Sequence, residues 1–230
     1  MLDIEGTVCS IAFVKDVLYP FALKKVRALL PAVKFPLDPH AGELEAYLEK
    51  FPKTVSGSSE EILHHIEELT EKDIKAPYLK GLQGFLWKSG YQRGEIKVSI
   101  YDDAERAIRR WHQLLQSRGG GVYIYSSGSV AAQKLLFEYT TAGDLRPFLS
   151  GYFDTVNAGP KTDTASYHVI SKEIAIDPRE TLFFSDNILE INAATAAGWH
   201  TAWTVRPGNP AQETELTGVE DFSKLDLDAI

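Results

Sequence analysis

Apolar residues recur at helical spacing through most of the first hundred residues of this chain. After a short polar opening they lie three or four positions apart from Phe13 to Leu30, and Pro31 ends the pattern. An amphipathic helix shows this spacing because one of its faces packs against a core. On the same grounds, further helices are predicted over Gly42–Phe51, from Ser58 or Ser59 onward, and over Pro77–Trp87.

The pattern changes at about residue 100, where short apolar runs begin to alternate with amphipathic segments. Short strands that alternate with helices are typical of parallel βαβ units. We therefore predict an α/β fold with a doubly wound parallel sheet. Asp102 or Asp103 is expected to cap the first helix of this part, and Gly119–Gly121 to stop it. The predicted strands are Val122–Tyr125, Thr181–Phe184 and Thr201–Val205. The helices predicted between them are Val130–Tyr139, Thr162–Ile174 and Ile188–Ala197.

These two patterns divide the chain into two domains. Residues 1–15 and 100–230 form the predicted core domain, which contains the sheet. Residues 16–99 are predicted to contain only helices and their connections, and they lie between the first and second predicted strands of that domain. We interpret them as an inserted helical cap domain.

The composition of the chain limits which partners and which cellular compartment are expected. The chain has 230 residues, 44% of them hydrophobic, which is enough for a sizeable core. A formal net charge of −8 without Lys/Arg clusters argues against nucleic acid and anionic membranes as partners. The lone Cys9 favours a reducing compartment, and the early Asp3 and Glu5 do not suit a secretory signal. With no apolar stretch long enough to span a bilayer, a cytoplasmic protein is expected.

Four polar segments carry residue types that phosphoryl transfer needs. They are Asp3-Ile4-Glu5-Gly6-Thr7, Ser126-Ser127, Lys161 and Asp186, and three of them directly follow apolar runs. In a doubly wound sheet, ligands bind beyond the carboxyl ends of the strands. Because Asp3, Ser126 and Asp186 fall at such ends, we expect one shared site.

The chemistry of a phosphate ester suggests roles for the acidic residues. Such an ester resists nucleophiles because its oxygens are negative, so a catalyst must neutralise that charge and supply an attacking group. Asp3 can attack phosphorus and form an aspartyl-phosphate. Mg²⁺ prefers hard oxygen ligands, and Asp3 and Asp186 can each give it a carboxylate oxygen. Glu5 can protonate the leaving oxygen, ligate the metal, or do both.

The remaining polar groups suit the phosphate oxygens. Ser126, Ser127 and the N–H groups of the next helix N-terminus can bind them. Lys161 can neutralise the charge that develops during the reaction.

Each segment also has a simpler explanation when it is taken alone. Asp3 fits a polar turn, Ser126 and Asp186 fit helix caps, and Lys161 fits a solvated loop lysine. Glu190 can be a charged residue exposed in the first turn of a helix, or it can contact the residues that bind the metal. The sequence favours neither possibility. The occurrence of all four segments in this order favours the shared site.

The four segments resemble the motifs of the haloacid dehalogenase-like hydrolase superfamily. More narrowly, the chain is similar over nearly its whole length to the enolase-phosphatase family of the methionine salvage pathway. The most specific marks are Glu5, where most of the superfamily has aspartate, and the segments Phe13-Val14-Lys15-Asp16-Val17-Leu18, Leu86-Trp87-Lys88-Ser89-Gly90-Tyr91 and Ser185-Asp186-Asn187.

This resemblance implies a monomeric, Mg²⁺-dependent enzyme with a helical cap over its active site. Its reaction would convert 2,3-diketo-5-methylthiopentyl-1-phosphate into phosphate and the acireductone 1,2-dihydroxy-3-keto-5-methylthiopentene. The residues implied by the motifs are Asp3, Glu5 and Asp186 for the metal, Asp3, Glu5 and Lys161 for catalysis, and Ser126, Ser127 and Lys161 for the substrate. A cytoplasmic location is expected, and a nuclear one stays open.

One feature departs from the family pattern. There an apolar strand of several residues precedes the nucleophile, whereas only Met1 and Leu2 precede Asp3 here. Such a strand would be central and buried on both faces. Either the sequence starts late, or the sheet tolerates a short first strand.

Two other functions stay open at this point. A plain phosphomonoesterase for a sugar or glycolate phosphate would share the core but not the enolising step, and the cap segment Lys75–Tyr91 argues against it. A catalytically impaired binding or regulatory protein is suggested only by the short first strand. The presence of Asp3, Lys161 and Asp186 argues against that hypothesis.

Overall fold

The computed structural model describes residues 1–225 and divides the chain into two compact units. The helical unit comprises residues 14–96, and the sheet unit comprises residues 1–13 with the chain from residue 97 onward. The predicted boundaries at residues 16 and 99 differ by a few positions, because the turn that begins at Val14 and the segment up to Ile96 belong to the helical unit. The last part of the core-domain prediction, residues 226–230, lies outside the described residues.

The ends of the helices in residues 14–96 follow from local residues. These helices are α1 (Tyr19–Leu29), α2 (Glu43–Leu48), α3 (Ser59–Glu71) and α4 (Pro77–Gln92). Ser58 caps α3, since its hydroxyl accepts a hydrogen bond from the Glu61 N–H at 3.2 Å. Prolines stand in the first turns of α1 and α4, where a missing N–H costs nothing. No helix in residues 1–225 is long and apolar enough to cross a membrane.

Three helix ends differ from prediction. The helix expected from Phe13 begins as a π-helical segment, Val14–Leu18, and α1 starts only at Tyr19. Pro20 has no N–H, so the hydrogen-bond pattern changes ahead of it. Helix α2 is shorter than the predicted Gly42–Phe51, and α4 extends past Trp87 to Gln92.

The interior of the helical unit is apolar. The buried residues that form its core include Val26, Leu48, Ile62, Leu79 and Leu82. Trp87 packs against this core, and its indole N–H donates to the Leu18 carbonyl at 2.8 Å. The indole is therefore fixed to the end of the π-helical segment.

The sheet unit alternates helices and strands. Its elements are α5 (Asp102–Gln116), β1 (Tyr123–Tyr125), α6 (Val130–Glu138), β2 (Gly151–Phe153), α7 (Thr164–Ile174), β3 (Leu182–Ser185), α8 (Ile188–Ala196) and β4 (His200–Trp203). The β1–β2 and β3–β4 pairs are parallel. Leu2 forms parallel bridges to Ile124 in β1 and Phe184 in β3, so the order is β2–β1–Leu2–β3–β4. The predicted α/β fold with a parallel sheet is confirmed.

The short first strand is bonded to both of its neighbours. The Leu2 N–H donates to the Tyr123 carbonyl at 2.8 Å, and the Leu2 carbonyl accepts from the Tyr125 N–H at 2.9 Å. On the other edge, the Asp3 N–H donates to the Phe184 carbonyl at 2.9 Å. Two buried residues, Met1 and Leu2, thus hold the central position of the sheet.

Some predictions for the sheet unit are wrong. Helix α5 begins at Asp102 without a side-chain cap, and Asp103 instead accepts a hydrogen bond from the Phe222 N–H at 2.8 Å. Strand β2 was not predicted, because Gly151 lies in it and no apolar run marks it. Strand β4 spans His200–Trp203 rather than the predicted Thr201–Val205.

Candidate active site

Three polar side chains follow neighbouring strands of the parallel sheet. Asp3 comes after Leu2, Ser126 after β1, and Asp186 after β3. The Ser126 N–H donates to the Phe153 carbonyl at 3.1 Å, which places this residue at the end of β1 beside β2. Since parallel strands end at one edge, all three residues lie at the edge where doubly wound sheets bind ligands.

Lys161 forms two short ion pairs in the interior. Its Nζ lies 2.6 Å from Asp3 Oδ1 and 2.6 Å from Glu190 Oε2. The Lys161 side chain is only 6% exposed, so the hypothesis of a solvated loop lysine is wrong. The same Glu190 oxygen accepts a hydrogen bond from the Ser185 hydroxyl at 2.7 Å. Glu190 is therefore a partner of the lysine and not an exposed first-turn charge.

Aromatic side chains hold the Lys161 segment in place. The Tyr167 hydroxyl donates to the Lys161 carbonyl at 2.6 Å and lies 3.1 Å from the Glu190 carbonyl. The Tyr125 hydroxyl donates to the Gly159 carbonyl at 2.7 Å. Gly159 has a φ of +110°, which side chains rarely adopt, so glycine suits this turn before the lysine.

Burial and neighbouring charges act against each other on the pKa values of Asp3 and Lys161. It raises the pKa of Asp3 above its ordinary value, and Lys161 offsets part of this rise. Burial alone would lower the pKa of Lys161, but the charges of Asp3 and Glu190 outweigh it and raise that pKa. The lysine is thus cationic at neutral pH, whereas Asp3 depends on nearby positive charge to stay ionised.

The Asp186 carboxylate lies against the loop that follows Asp3. A Cβ built on Gly6 would come 2.4 Å from Asp186 Oδ2, and Gly6 has a φ of +68°. Only glycine therefore fits this close approach without displacing the carboxylate. Burial, together with the charges of Glu190 and Glu5, raises the pKa of Asp186 to about 6, although Lys161 offsets part of this rise.

The predicted phosphate-binding hydroxyls lie in a tight loop before α6. Ser126 is buried, and its Oγ accepts a hydrogen bond from the Gly128 N–H at 3.2 Å. Ser129 is the cap of α6, with its Oγ accepting from the Ala132 N–H at 3.3 Å, so Ser126 is not the helix cap.

At the end of β3, too, the helix cap and the candidate site residue are different side chains. Asn187 is the cap of α8, because its Oδ1 accepts from the Leu189 N–H at 2.9 Å. Asp186 is thus not the cap, and its carboxylate lies at Gly6 instead.

The charge balance of the site fits a divalent cation. Lys161 brings one positive charge to the carboxyls of Asp3, Asp186 and Glu190, which are all largely removed from water. Buried carboxylates are costly unless positive charge compensates them. Mg²⁺ prefers carboxylate oxygens and keeps several waters, so two carboxylates and one further oxygen suit it. Within residues 1–225, no three His, Cys, Asp or Glu side chains are grouped so as to hold an ion together.

The residues that hold the site loops in place were not predicted from the sequence. Tyr167 supports Lys161, and the segment Trp203–Gln212 bonds to the loops of Asp3 and Asp186. These side chains bind backbone carbonyls, which any residue can offer. No spacing rule in the sequence therefore indicates them.

Comparison with known proteins adds independent information. A family model described as haloacid dehalogenase-like hydrolase matches residues 1–198. The enolase-phosphatase E1 of Yarrowia lipolytica is 52% identical over 212 residues, which cover 91% of this chain and 89% of that protein. The enolase-phosphatase E1 of Clavispora lusitaniae is 45% identical over 213 residues, which cover 91% of this chain and 90% of that protein.

Solved structures resemble the chain over most of its length. The crystal structure of the UTR4 protein from Saccharomyces cerevisiae is 40% identical, with a TM-score of 0.80 and 97% of both chains covered. The structure of CbbY from Rhodobacter sphaeroides in complex with phosphate has a TM-score of 0.60 at 13% identity, covering 97% of this chain and 93% of that one. At that identity the likeness shows the fold alone.

Proposed function

The chain belongs to the enolase-phosphatase family of the haloacid dehalogenase-like hydrolases, and on this premise we propose how its residues catalyse the reaction. It is an enzyme of methionine salvage, a phosphatase that acts on a small phosphorylated substrate. We propose that the substrate is 2,3-diketo-5-methylthiopentyl-1-phosphate and that the products are phosphate and the acireductone. The observation that carries the proposal is the buried Lys161–Asp3 ion pair beside Asp186.

Asp3 is the proposed nucleophile. One of its carboxylate oxygens forms a bond to phosphorus while the bond from phosphorus to the substrate oxygen breaks, which gives an aspartyl-phosphate. Glu5 protonates the departing oxygen, and water then hydrolyses the aspartyl-phosphate to release phosphate. Lys161 lies 2.6 Å from Asp3 Oδ1, so it orients the attacking carboxylate and compensates its charge.

Phosphate oxygens are bound by the loop before α6 in this proposal. Ser126 and Ser127 offer hydroxyl groups, and the N-terminus of α6 offers N–H groups where negative charge is favoured. The loop has a fixed shape, because the Gln133 side chain donates to the Gly128 and Phe153 carbonyls at 2.8 Å each.

Mg²⁺ is the proposed cofactor, held by Asp3, Asp186 and an oxygen of Glu5. When bound, it neutralises phosphate charge and polarises the reacting oxygens. The excess of buried carboxyl groups over lysine charge supports this assignment. A monomeric state, a cytoplasmic location and a cap role for residues 14–96 stay predictions.

The test compares the diketo substrate with generic phosphoesters. Released phosphate and the ultraviolet absorbance of the enediol product would be followed side by side, with Mg²⁺ and in excess chelator. We expect both products from the diketo substrate, a much lower rate with glycolate phosphate, and no turnover in chelator. Equal rates on both substrates without an enediol absorbance would replace this function by a plain phosphomonoesterase.

A further inference from the structure

One short segment, which begins at the last residue of β4, donates side-chain hydrogen bonds to both loops that carry the candidate metal ligands. We call the segment Trp203–Gln212 the brace. It lies beyond residue 198, where the match to the family model ends. The residues that its side-chain hydrogen bonds join all belong to the sheet unit.

The first set of contacts holds the loop that follows Asp3. The Asn209 side-chain N–H donates to the Gly6 carbonyl at 2.9 Å, and the Thr204 hydroxyl lies 3.3 Å from the same oxygen. The Arg206 Nε donates to the Thr7 carbonyl at 3.0 Å. Two successive carbonyls of this loop are therefore fixed by three side chains of the brace.

The second set holds the loop of Asp186. The Trp203 indole N–H donates to the Asp186 carbonyl at 2.9 Å, and the Gln212 side-chain N–H donates to the same oxygen. The Gln212 Oε1 accepts a hydrogen bond from the Ile188 N–H at 3.0 Å, at the start of α8. Gln212 thus uses both ends of its amide on this loop.

The brace is itself fixed in the interior. Arg206 is buried between the Tyr101 and Phe222 rings, with its guanidinium carbon 4.8 Å and 4.4 Å from the ring centres. Its Nη1 donates to Asp103 Oδ2 at 2.8 Å and to the Glu220 carbonyl at 2.7 Å. A buried, paired guanidinium moves little, because leaving its partners would expose uncompensated charge.

The two loops approach each other at Gly6, where the brace also lies. A Cβ on Gly6 would meet Asp186 Oδ2 at 2.4 Å and Asn209 Oδ1 at 2.9 Å. Asn209 Oδ1 is buried without a hydrogen-bond partner among the described residues, and its amide N–H groups face the Gly6 and Thr204 carbonyls. The orientation of this amide therefore follows from its neighbours.

We propose that the brace sets the separation of the Asp3 and Asp186 carboxylates, with Asn209 and Gln212 as positioning residues. The proposal rests on the function proposed above, in which both carboxylates hold Mg²⁺. That ion demands near-ideal octahedral geometry, so a shift of one loop against the other weakens its binding. Groups that orient metal ligands commonly change metal affinity 10- to 100-fold when removed.

The test uses Asn209→Ala and Gln212→Met, with Arg146→Met as the control in the same unit. The Arg146 guanidinium pairs with Glu138 and Asp144 at 2.6 Å and 2.8 Å, and neither partner lies in the brace or in either loop. Mg²⁺ alone would be titrated into each protein by calorimetry, without substrate. We expect the Mg²⁺ dissociation constant to rise about 10- to 100-fold in both brace variants and to stay within about twofold in the control.

A second measurement follows the loop directly. The N–H groups of Gly6, Thr7 and Val8 donate to the Cys9 and Ile4 carbonyls, and their hydrogen exchange reports the order of the loop. We expect faster exchange there in Asn209→Ala and unchanged exchange in Arg146→Met. In steady-state assays at saturating Mg²⁺, kcat should fall more than KM rises.

Three results would overturn the proposal. They are unchanged Mg²⁺ affinity in both brace variants, an equal loss of affinity in the control, and unchanged exchange of the loop in Asn209→Ala. An unmutated chain that binds Mg²⁺ but releases no phosphate would refute the proposed function alone, because the titration and the exchange data still decide on the brace. An unmutated chain that binds no Mg²⁺ would overturn both.

Discussion

The two units of this protein differ in whether they bury charged side chains. In the sheet unit, Lys161 is buried between Asp3 and Glu190, and its side chain is 6% exposed. In the helical unit, the Arg27–Glu67 pair lies at the surface, with 56% and 35% of the two side chains exposed. The helical interior is built from apolar and aromatic side chains instead.

This difference indicates where the chemistry takes place. Burying a charge costs several kcal/mol before its partners compensate it, so a fold rarely keeps such groups for stability alone. The sheet unit keeps Lys161, Asp3 and Asp186 buried, whereas the buried polar residues of the helical unit are the uncharged Ser56 and Gln83. We infer that the bonds of the substrate are broken by groups of the sheet unit. The helical unit, by the same inference, contributes through its shape and not through charged groups.

The largest expected effect is the loss of the nucleophile. Asp3→Asn keeps the size of the side chain but replaces the attacking oxyanion by an amide. We expect turnover to fall by at least about three orders of magnitude, with the fold preserved. Phosphate release would be measured in single-turnover assays, with circular dichroism as the control for folding. Near-normal release would exclude Asp3 as the nucleophile.

The second prediction concerns stability and adds an apolar strand of about five residues before Met1. A cavity of about 530 Å³ lies beside Met1, lined in part by Val122, Leu182 and Phe184. Filling it with apolar side chains should contribute several kcal/mol, at roughly 1.5–3 kcal/mol per buried side chain before entropy offsets part of it. Denaturant midpoints of the two chains would be compared, and equal midpoints would contradict this prediction.

The gain from the added strand should depend on pH. In a chain that starts at Met1, the α-amino group donates to the Leu182 carbonyl at 2.8 Å, and burial lowers its pKa to about 5. The unfolded chain binds a proton that the folded chain does not, so stability falls as pH drops from about 8 towards about 5. An extended chain has an amide there, so the difference in midpoint should widen at lower pH.

The sequence predicted the class of fold and the residues that the structure brings together at one edge of the sheet. Strand ends and apolar runs are visible in the sequence, which is why Asp3, Ser126 and Asp186 could be placed beside one another. Lys161 was harder to place, because only its order along the chain distinguished it from a surface lysine.

Other parts could not be predicted, for physical reasons. Strand β2 is short and begins with Gly151, so it leaves no apolar pattern. The brace acts on the backbone carbonyls of Gly6, Thr7 and Asp186, and such contacts depend on tertiary structure and not on residue type. The π-helical segment before α1 has the same apolar spacing as an α-helix over so few residues.

The third prediction tests the metal site. Asp186→Ala removes one proposed ligand and leaves Asp3 and Lys161 in place. We expect the Mg²⁺ concentration for half-maximal activity to rise about 10- to 100-fold, with little change in the preference among substrates. A variant that needs no more Mg²⁺ than the unmutated chain would remove Asp186 from the ligand set. Ca²⁺ should bind but support little turnover, because it takes more ligands at longer distances.

A smaller effect is expected from the helical unit. Trp87→Ala should reduce turnover of the diketo substrate about tenfold while leaving a small generic phosphoester nearly unaffected, if this unit selects the carbon skeleton. Trp87→Phe keeps a ring but loses the bond to Leu18, so it separates packing from hydrogen bonding. Equal losses on both substrates would show that Trp87 supports folding only.

The smallest effect should come from a surface pair of the helical unit. Glu67→Gln keeps the shape of the side chain and removes the charge that pairs with Arg27 at 2.8 Å. Exposed pairs are screened by water and lose side-chain entropy when they form, so the melting temperature should change by no more than about 2 °C. Turnover of the diketo substrate should also stay within about twofold, because no charge in this unit takes part in the proposed chemistry. A large loss of turnover would contradict the inferred difference between the two units, because a surface charge of the helical unit would then contribute to catalysis.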